Sequence, residues 1–221
     1  KNILENESQV MDIIKNEFLE IKETYGDERK TEIQDAVDEF LPEDLIAPED
    51  MAVTVTHSGY IKRNPVSLYR SQHRGGKGVK GVKNIEEDYV SSLYVASTLD
   101  TFLFFTNHGK VFWRKVYQLP LVGRTARGKA IVNLLELNDG EKLAAILPIT
   151  SFEDSDESKT ILMVTKYGRV KKTSLSEFRR PLRKGKRALT INEGDEIISA
   201  HILTGDDTVF MISRNGISIR F

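Results

Sequence analysis

The sequence predicts a mainly β fold of propeller-like, antiparallel four-stranded blades in an incomplete ring, preceded by a helix of coiled-coil type. Three observations predict it: a heptad-spaced apolar seam at the start, a hairpin signature that recurs at intervals of 50, 59 and 48 residues, and a sharp change of charge near residue 50. Residues 1–50 hold 5 Lys+Arg against 16 Asp+Glu, whereas residues 51–221 hold 27 against 17. The overall net charge of −1 is therefore the sum of an acidic segment and a basic module.

In the first segment Ile3 and Val10, Ile14 and Ile21, and Phe18 and Tyr25 each stand seven apart. This spacing puts one apolar stripe on one helix over residues 3–25, with Gly26 as its stop. No capping residue precedes it, so the expectation is the end of a longer coiled coil. Residues 27–50 are acidic, with Pro42 and Pro48 late in the run, and read as a short helix followed by a linker over 41–50. The domain boundary falls between 1–50 and 51–221.

From Met51 onward, strand-type runs are broken by x-Gly turns. Val53–Thr56 precedes Ser58-Gly59, Phe102–Phe105 precedes His108-Gly109, Ile161–Val164 precedes Tyr167-Gly168, and Val209–Ile212 precedes Asn215-Gly216. Glycine accepts the positive φ of a primed two-residue turn, which makes each pair a hairpin signal. Apolar residues recur seven positions after each of the first three glycines (Val66, Val116, Leu175) and ten after (Tyr69, Leu119, Phe178). A second strand pair closes the unit, read as Ala130–Leu137 with Lys142–Ile149, and as Ala188–Ile191 with Ile197–Leu203. Repeats of about 52–100, 101–159 and 160–207, with a partial one at 208–221, have the size of blades that need neighbours to bury their faces.

Composition removes several chemistries. With no cysteine there is no disulfide framework, thiolate zinc site or cysteine nucleophile. The histidines at 57, 73, 108 and 201 lack metal-ligand spacing. Glu153–Glu157 lacks the glycine and spaced donors of a calcium loop and reads as a solvated insertion. No apolar run is long enough to cross a bilayer, so no membrane partner is expected. Trp113 could stack on a nucleotide, though its hairpin position reads more simply as blade packing.

The chemistry lies in basic, glycine-rich loops. Gln72-His73-Arg74-Gly75-Gly76-Lys77-Gly78, followed by Lys80, lets the backbone approach an oxyanion closely and flanks it with fixed charge. A Gly-Lys pair recurs as Gly128-Lys129 after Arg127, and as Gly185-Lys186 between Arg183 and Arg187. Repeats around a ring would place these loops on one rim as a curved positive track. Lys62, Arg63, Arg114, Lys115, Lys171 and Lys172 in the hairpins extend it. A protein-interaction propeller without a nucleic-acid role is the reading from another class, and it would not need a basic loop in every blade.

The helix ending in Tyr25-Gly26-Asp27-Glu28-Arg29, the strap from Pro42 to Asp50, and Thr56-His57-Ser58-Gly59-Tyr60-Ile61-Lys62-Arg63 resemble DNA gyrase A subunits over essentially the whole chain. Residues 72–78 are similar to that family's seven-residue box, Gln-Arg-Arg-Gly-Gly-Lys-Gly, with His73 in place of an arginine. The resemblance implies a β-pinwheel whose basic rim wraps duplex DNA, so that an ATP-driven type II topoisomerase introduces negative supercoils. The partners it implies are the gyrase B subunit together with a second copy of the A subunit. It further implies a bacterial cytoplasmic, nucleoid-associated location, and ATP and Mg bound by other regions. None of the seven tyrosines stands in the family's catalytic context, so this stretch is expected to be inactive alone. The A-type subunit of topoisomerase IV has a related pinwheel with a degenerate or absent box.

Overall fold

The computed structural model describes residues 6–27, 31, 42–69, 88–152 and 159–221. The chain divides into two units, residues 1–40 and 41–221. In the first, helix α1 (Glu7–Tyr25) is the helix expected from the seam, apart from Ile3, which lies outside the described residues. No residue of α1 is buried, and Phe18 stays 66% exposed. The expected short helix after Gly26 falls almost wholly outside the described residues.

The second unit is a series of antiparallel sheets. Strands β1 (Asp50–Thr56), β2 (Tyr60–Pro65), β3 (Val90–Ser97), β4 (Thr101–Thr106), β5 (Lys110–Lys115), β6 (Lys129–Ala130) and β7 (Leu143–Ile149) are followed by β8 (Thr160–Thr165), β9 (Val170–Ser174), β10 (Lys186–Arg187), β11 (Ile197–Leu203), β12 (Phe210–Ile212) and β13 (Ser218–Arg220). The first blade has the order β3-β1-β2-β6 and the second β10-β5-β4-β7. The third, β11-β8-β9, has three strands among the described residues, and β12–β13 forms a hairpin.

This order corrects the expected closing strand pair. The segments after Gly128-Lys129 and Gly185-Lys186 do not fold back on their own repeats. Lys129–Ala130 pairs with β2, and Lys186–Arg187 pairs with β5, so a repeat supplies the outer strand of the blade before it. Residues 131–133 then turn as a 3-10 helix, and β7 alone returns to β4. The reason lies in packing space. Gly128, at φ +92°, lies so close to the Ile61 carbonyl that a Cβ would overlap it, and Gly185, at φ +78°, packs on the Phe112 ring. Only glycine allows the incoming backbone to come this near.

The turns also differ from the two-residue form. Gly59 N–H donates to Thr56 O (3.0 Å), Gly109 to Thr106 O (3.1 Å), Gly168 to Thr165 O (2.9 Å) and Gly216 to Ser213 O (2.9 Å). Each connection therefore spans three residues and ends on a glycine with φ near +80°. The apolar positions seven residues later open a 3-10 turn in each of the first three repeats, at 66–68, 116–118 and 175–178. Their i, i+3 geometry is what brings Leu119 and Phe178 inward, both 2% exposed.

Two cores lie between successive blades. Phe102 and Phe104 of β4 join Met51, Val53 and Ile61 of the first blade, while Leu103 and Phe105 join Ile161, Met163 and Phe178 of the third repeat. Both faces of β4 are buried, which explains its unbroken apolar run.

The two kinds of glycine should separate in stability. Gly59→Ala meets nothing within 4 Å, so its cost is the left-handed backbone alone, about 1–2 kcal/mol. Gly185→Ala adds a Cβ 2.9 Å from the Phe112 ring. Its urea midpoint should fall further than that of Gly59→Ala, with an unchanged m value; equal losses would show that the outer strand does not rest on this close approach.

Candidate nucleic-acid interface

The basic residues expected on one track divide into three groups. The first group holds blades together. Lys62 is 1% exposed, and its ammonium donates to the carbonyls of Arg124 and Ala126 (2.8 Å to the latter) in the segment that crosses from the second repeat. Burial, aided by the Arg124 cation, pushes the Lys62 ammonium below its ordinary pKa. Arg63 donates to Leu119 O (2.9 Å) and Tyr117 O (3.1 Å), and Asn64 beside it to Val122 O. Arg114 places its guanidinium on Leu134 O (2.5 and 3.1 Å) and Trp113 O (2.9 Å). Lys62 is thus no surface contact: its buried ammonium needs acceptors, and the two carbonyls supply them. Trp113 belongs with this group. It is 6% exposed and its indole N–H donates to Phe178 O (2.8 Å), as Arg63 does to Leu119 O one repeat earlier.

The second group is paired at the surface. Arg127 lies over the Tyr60 ring (3.8 Å) and 3.7 Å from Asp88. Lys115 meets Glu43 (3.4 Å) and donates to Leu99 O (3.0 Å), while Lys171 donates to Ala188 O (2.8 Å). Lys186 donates to Glu177 O (2.6 Å). Arg183, 88% exposed at its side chain, pairs with Glu136 (2.9 Å).

The third group faces solvent: Lys129, Lys172 and Arg187 are exposed. Lys129 lies opposite Ile61 and Lys186 opposite Val111, each partner two residues beyond its turn glycine. The second and third Gly-Lys pairs therefore occupy the same place on successive blades. Residues Gln72, His73, Arg74, Gly75, Gly76, Lys77, Gly78 and Lys80, and the insertion 153–157, lie outside the described residues. Sequence reasoning passed over Arg179, Arg180 and Lys184, which are exposed in the loop before β10.

It also missed a clamp repeated at the first three hairpins. The hydroxyls of Thr56, Thr106 and Thr165 accept the backbone N–H of Tyr60 (3.2 Å), Lys110 (3.2 Å) and Arg169 (3.1 Å). Each threonine also faces a carboxylate at the start of the blade's third strand: Asp88, Glu141 or Asp195. The carboxylates hold the turns through Ser58 N–H (2.9 Å), Thr106 Oγ1 (2.5 Å) and Tyr167 N–H (3.0 Å). The signal was present in Thr56, Thr106, Thr165 and Ser213, each three residues before a turn glycine. For Asp195, burial pushes the carboxyl up, but Thr165, the amides of Tyr167 and Glu196, and Arg169 outweigh it and hold the group below the usual range. Burial pushes Asp88 up as well, and Ser58, Thr56 and Arg127 outweigh it in the same way.

Among the described residues there is no His, Cys, Asp and Glu cluster able to hold a metal. No helix among them is long and apolar enough to cross a membrane.

A family model described as the DNA gyrase C-terminal domain, beta-propeller, matches residues 50–97, 100–150 and 159–204. The chain belongs to this family. The matched segments coincide with three successive hairpin-plus-return units, and each includes its clamp carboxylate, Asp88, Glu141 or Asp195. The chain is 46% identical over 219 residues to the DNA gyrase A subunit of Aeromonas salmonicida, covering 99% of the chain and 23% of that relative. It is 44% identical over 221 residues to the DNA gyrase A subunit of Halalkalibacterium halodurans, covering 100% of the chain and 26% of the relative. The chain thus spans about a quarter of the length of the curated relatives it matches. Among solved structures, the C-terminal domain of DNA topoisomerase IV aligns with a TM-score of 0.66 and 26% identity, over 80% of this chain and 52% of that one. The DNA gyrase A C-terminal domain aligns with a TM-score of 0.57 and 23% identity, over 78% and 54%. Both solved domains share the fold of this chain.

The clamp carboxylates Asp88 and Asp195 predict an acid limit to stability. A carboxyl held below its ordinary value stabilises the fold above its unfolded pKa, about 3.9, and that contribution is lost as pH falls through the folded value. The melting temperature should therefore be flat near neutrality and drop below about pH 4. Asp195→Asn should lower the neutral plateau and make the acid decline shallower; a variant with wild-type melting across the range would show that the clamp contributes nothing.

Proposed function

We propose that this chain is a DNA-wrapping module of gyrase, which bends duplex DNA along the outer edges of its blades so that the assembled enzyme introduces negative supercoils. The observation that supports it best is the shared register of Gly128-Lys129 and Gly185-Lys186, which gives successive blades the same basic edge. Lysine, arginine and exposed backbone suit phosphate contacts, which position a duplex without reading its bases. Bending a 20–30-base-pair site through 40–90° costs on the order of 1–6 kcal/mol, so a wrap needs contacts on several blades at once. The rigid turn clamps help, because a blade that yields would release the strain.

In this reading Gln72–Gly78 begins the wrap, with Arg74 and Lys77 as phosphate contacts and Gly75, Gly76 and Gly78 admitting the backbone. Strand cutting, ATP and Mg²⁺ belong to other regions of gyrase, and this stretch is inactive alone. Its partners there are the B subunit together with a second copy of the A subunit. The topoisomerase IV neighbour supports a second reading as the A-type subunit of that enzyme. The near-complete box at 72–78 favours gyrase.

Neutralising on the order of six phosphates should give log K against log salt a slope of roughly −5 on duplexes of about 40 base pairs. Lys129→Gln with Arg187→Gln should make it shallower by about 2, whereas Lys62→Met should lower the melting temperature and leave the slope in place. A slope near zero in the unmodified chain refutes the wrapping track.

In assembled gyrase, Arg74→Ala with Lys77→Ala should strongly reduce negative supercoiling while ATP-dependent relaxation and drug-stabilised cleavage persist. Paired supercoiling and cleavage assays decide it; loss of both activities together would assign the two residues to the general DNA gate.

A further inference from the structure

The acidic strap has no part in the wrapping reading, yet it is fixed against a basic cleft of the second unit. Residues 42–50 contain Glu43, Asp44, Glu49 and Asp50 and no basic residue. Thr98, 3% exposed, anchors the strap's far end. Its amide donates to Glu49 O (2.9 Å), its hydroxyl donates to Ala47 O (2.8 Å), and that hydroxyl accepts Glu49 N–H (3.1 Å). From this anchor the 3-10 turn Pro42–Leu45 carries Glu43 to a cleft of about 350 Å³ lined by Trp113, Lys115, Gln118 and Arg179.

There the Glu43 carboxylate lies 3.4 Å from the Lys115 ammonium, which Leu99 O holds in place at 3.0 Å. Both side chains keep solvent access, Lys115 at 30% and Glu43 at 43%. Arg179 at the cleft edge is exposed, and its guanidinium has no hydrogen-bond or ion-pair partner among the described residues. Three cations thus line the cleft: Arg114, whose guanidinium is held on Leu134 O and Trp113 O, Lys115, neutralised by a carboxylate of the chain itself, and the open Arg179.

We propose that this cleft is a contact for the phosphate backbone of duplex DNA, and that Glu43 covers it as a displaceable internal anion. The proposal rests on the wrapping reading and adds a regulated contact to it. A carboxylate and a phosphate make the same charge-assisted bonds to ammonium and guanidinium groups, so a site that seats one oxygen of the first can seat one of the second. The ion pair is exposed on both sides, and such pairs are weak. A duplex held at other blades can displace Glu43, whereas a free anion gains little from doing so. Lys115 is then a contact that engages late, after DNA already lies along the edge, and the strap sets the threshold.

The test is duplex binding by the whole chain, with about 40-base-pair DNA titrated at several salt concentrations near 50 mM. Glu43→Gln should tighten binding by about 1.4- to 5-fold, the range an exposed ion pair supports, and should steepen the salt slope by about 1 as Lys115 becomes a free contact. Asp50→Asn removes the same charge outside the cleft and should give a smaller gain with no change of slope. In a Lys115→Met background, Glu43→Gln should have no effect. Unchanged binding in Glu43→Gln, an equal gain in Asp50→Asn, or a gain that survives Lys115→Met each overturns the cover while leaving the wrapping reading intact. Failure of the unmodified chain to bind duplex at all overturns the wrapping reading and the cover together.

Discussion

The second unit depends on the burial of β4 on both faces. Phe102 and Phe104 point into one core, Leu103 and Phe105 into the other, and all four are essentially inaccessible. Full burial of such side chains stabilises by about 1.5–3 kcal/mol each, and a lone sheet can shield only one face. Blade 2 is therefore stable only between neighbours. The exchange of outer strands follows the same logic, since a strand contributed by the next repeat ties each blade to the one that covers it.

That exchange decides what the basic residues do. A segment crossing between blades brings its carbonyls against a neighbouring strand, and buried carbonyls need donors. Lys62, Arg63 and Arg114 meet that need, as Trp113 does with its indole N–H. The local basic charge therefore overstates the surface available to an anion. Among the cations that remain open, Lys129, Arg187 and Arg179 lie on the exchanged strands or the loops leading into them, and Lys172 lies on β9. The glycine beside each lysine serves the exchange as well: Gly128 and Gly185 let the strand close in, and the adjacent lysine is carried to the edge.

The turn clamps link the ends of each repeat. Thr106 and Glu141 are 35 positions apart and share a 2.5 Å hydrogen bond, while Asp195 reaches back to Tyr167 N–H. Fixing the first hairpin to the third strand ties down the turn end of the blade, which suits the proposed wrapping, in which a bent duplex exerts elastic strain. The strap adds a different kind of constraint, since an acidic segment tied down by Thr98 brings a carboxylate to Lys115.

Local pattern determined much of this protein from the sequence alone. Heptad spacing placed α1, x-Gly pairs placed the hairpins, and residues seven beyond the glycines marked the 3-10 turns, while positions seven and ten marked core residues in the second and third repeats but only half-buried ones, Val66 and Tyr69, in the first, because periodicity and positive φ are properties of a few consecutive residues. The Thr-to-Gly spacing was also legible, though its purpose was not, because Asp88, Glu141 and Asp195 lie 28 to 35 residues from the groups they bind. Only the tertiary structure decided which blade receives each Gly-Lys strand and which cations are used up at blade junctions. Lys62 and Lys129 read alike as basic residues near a turn; one is buried on carbonyls and the other stands in solvent. The difference comes from a backbone that arrives from the following repeat, and no property of either residue's own neighbours in sequence encodes that approach.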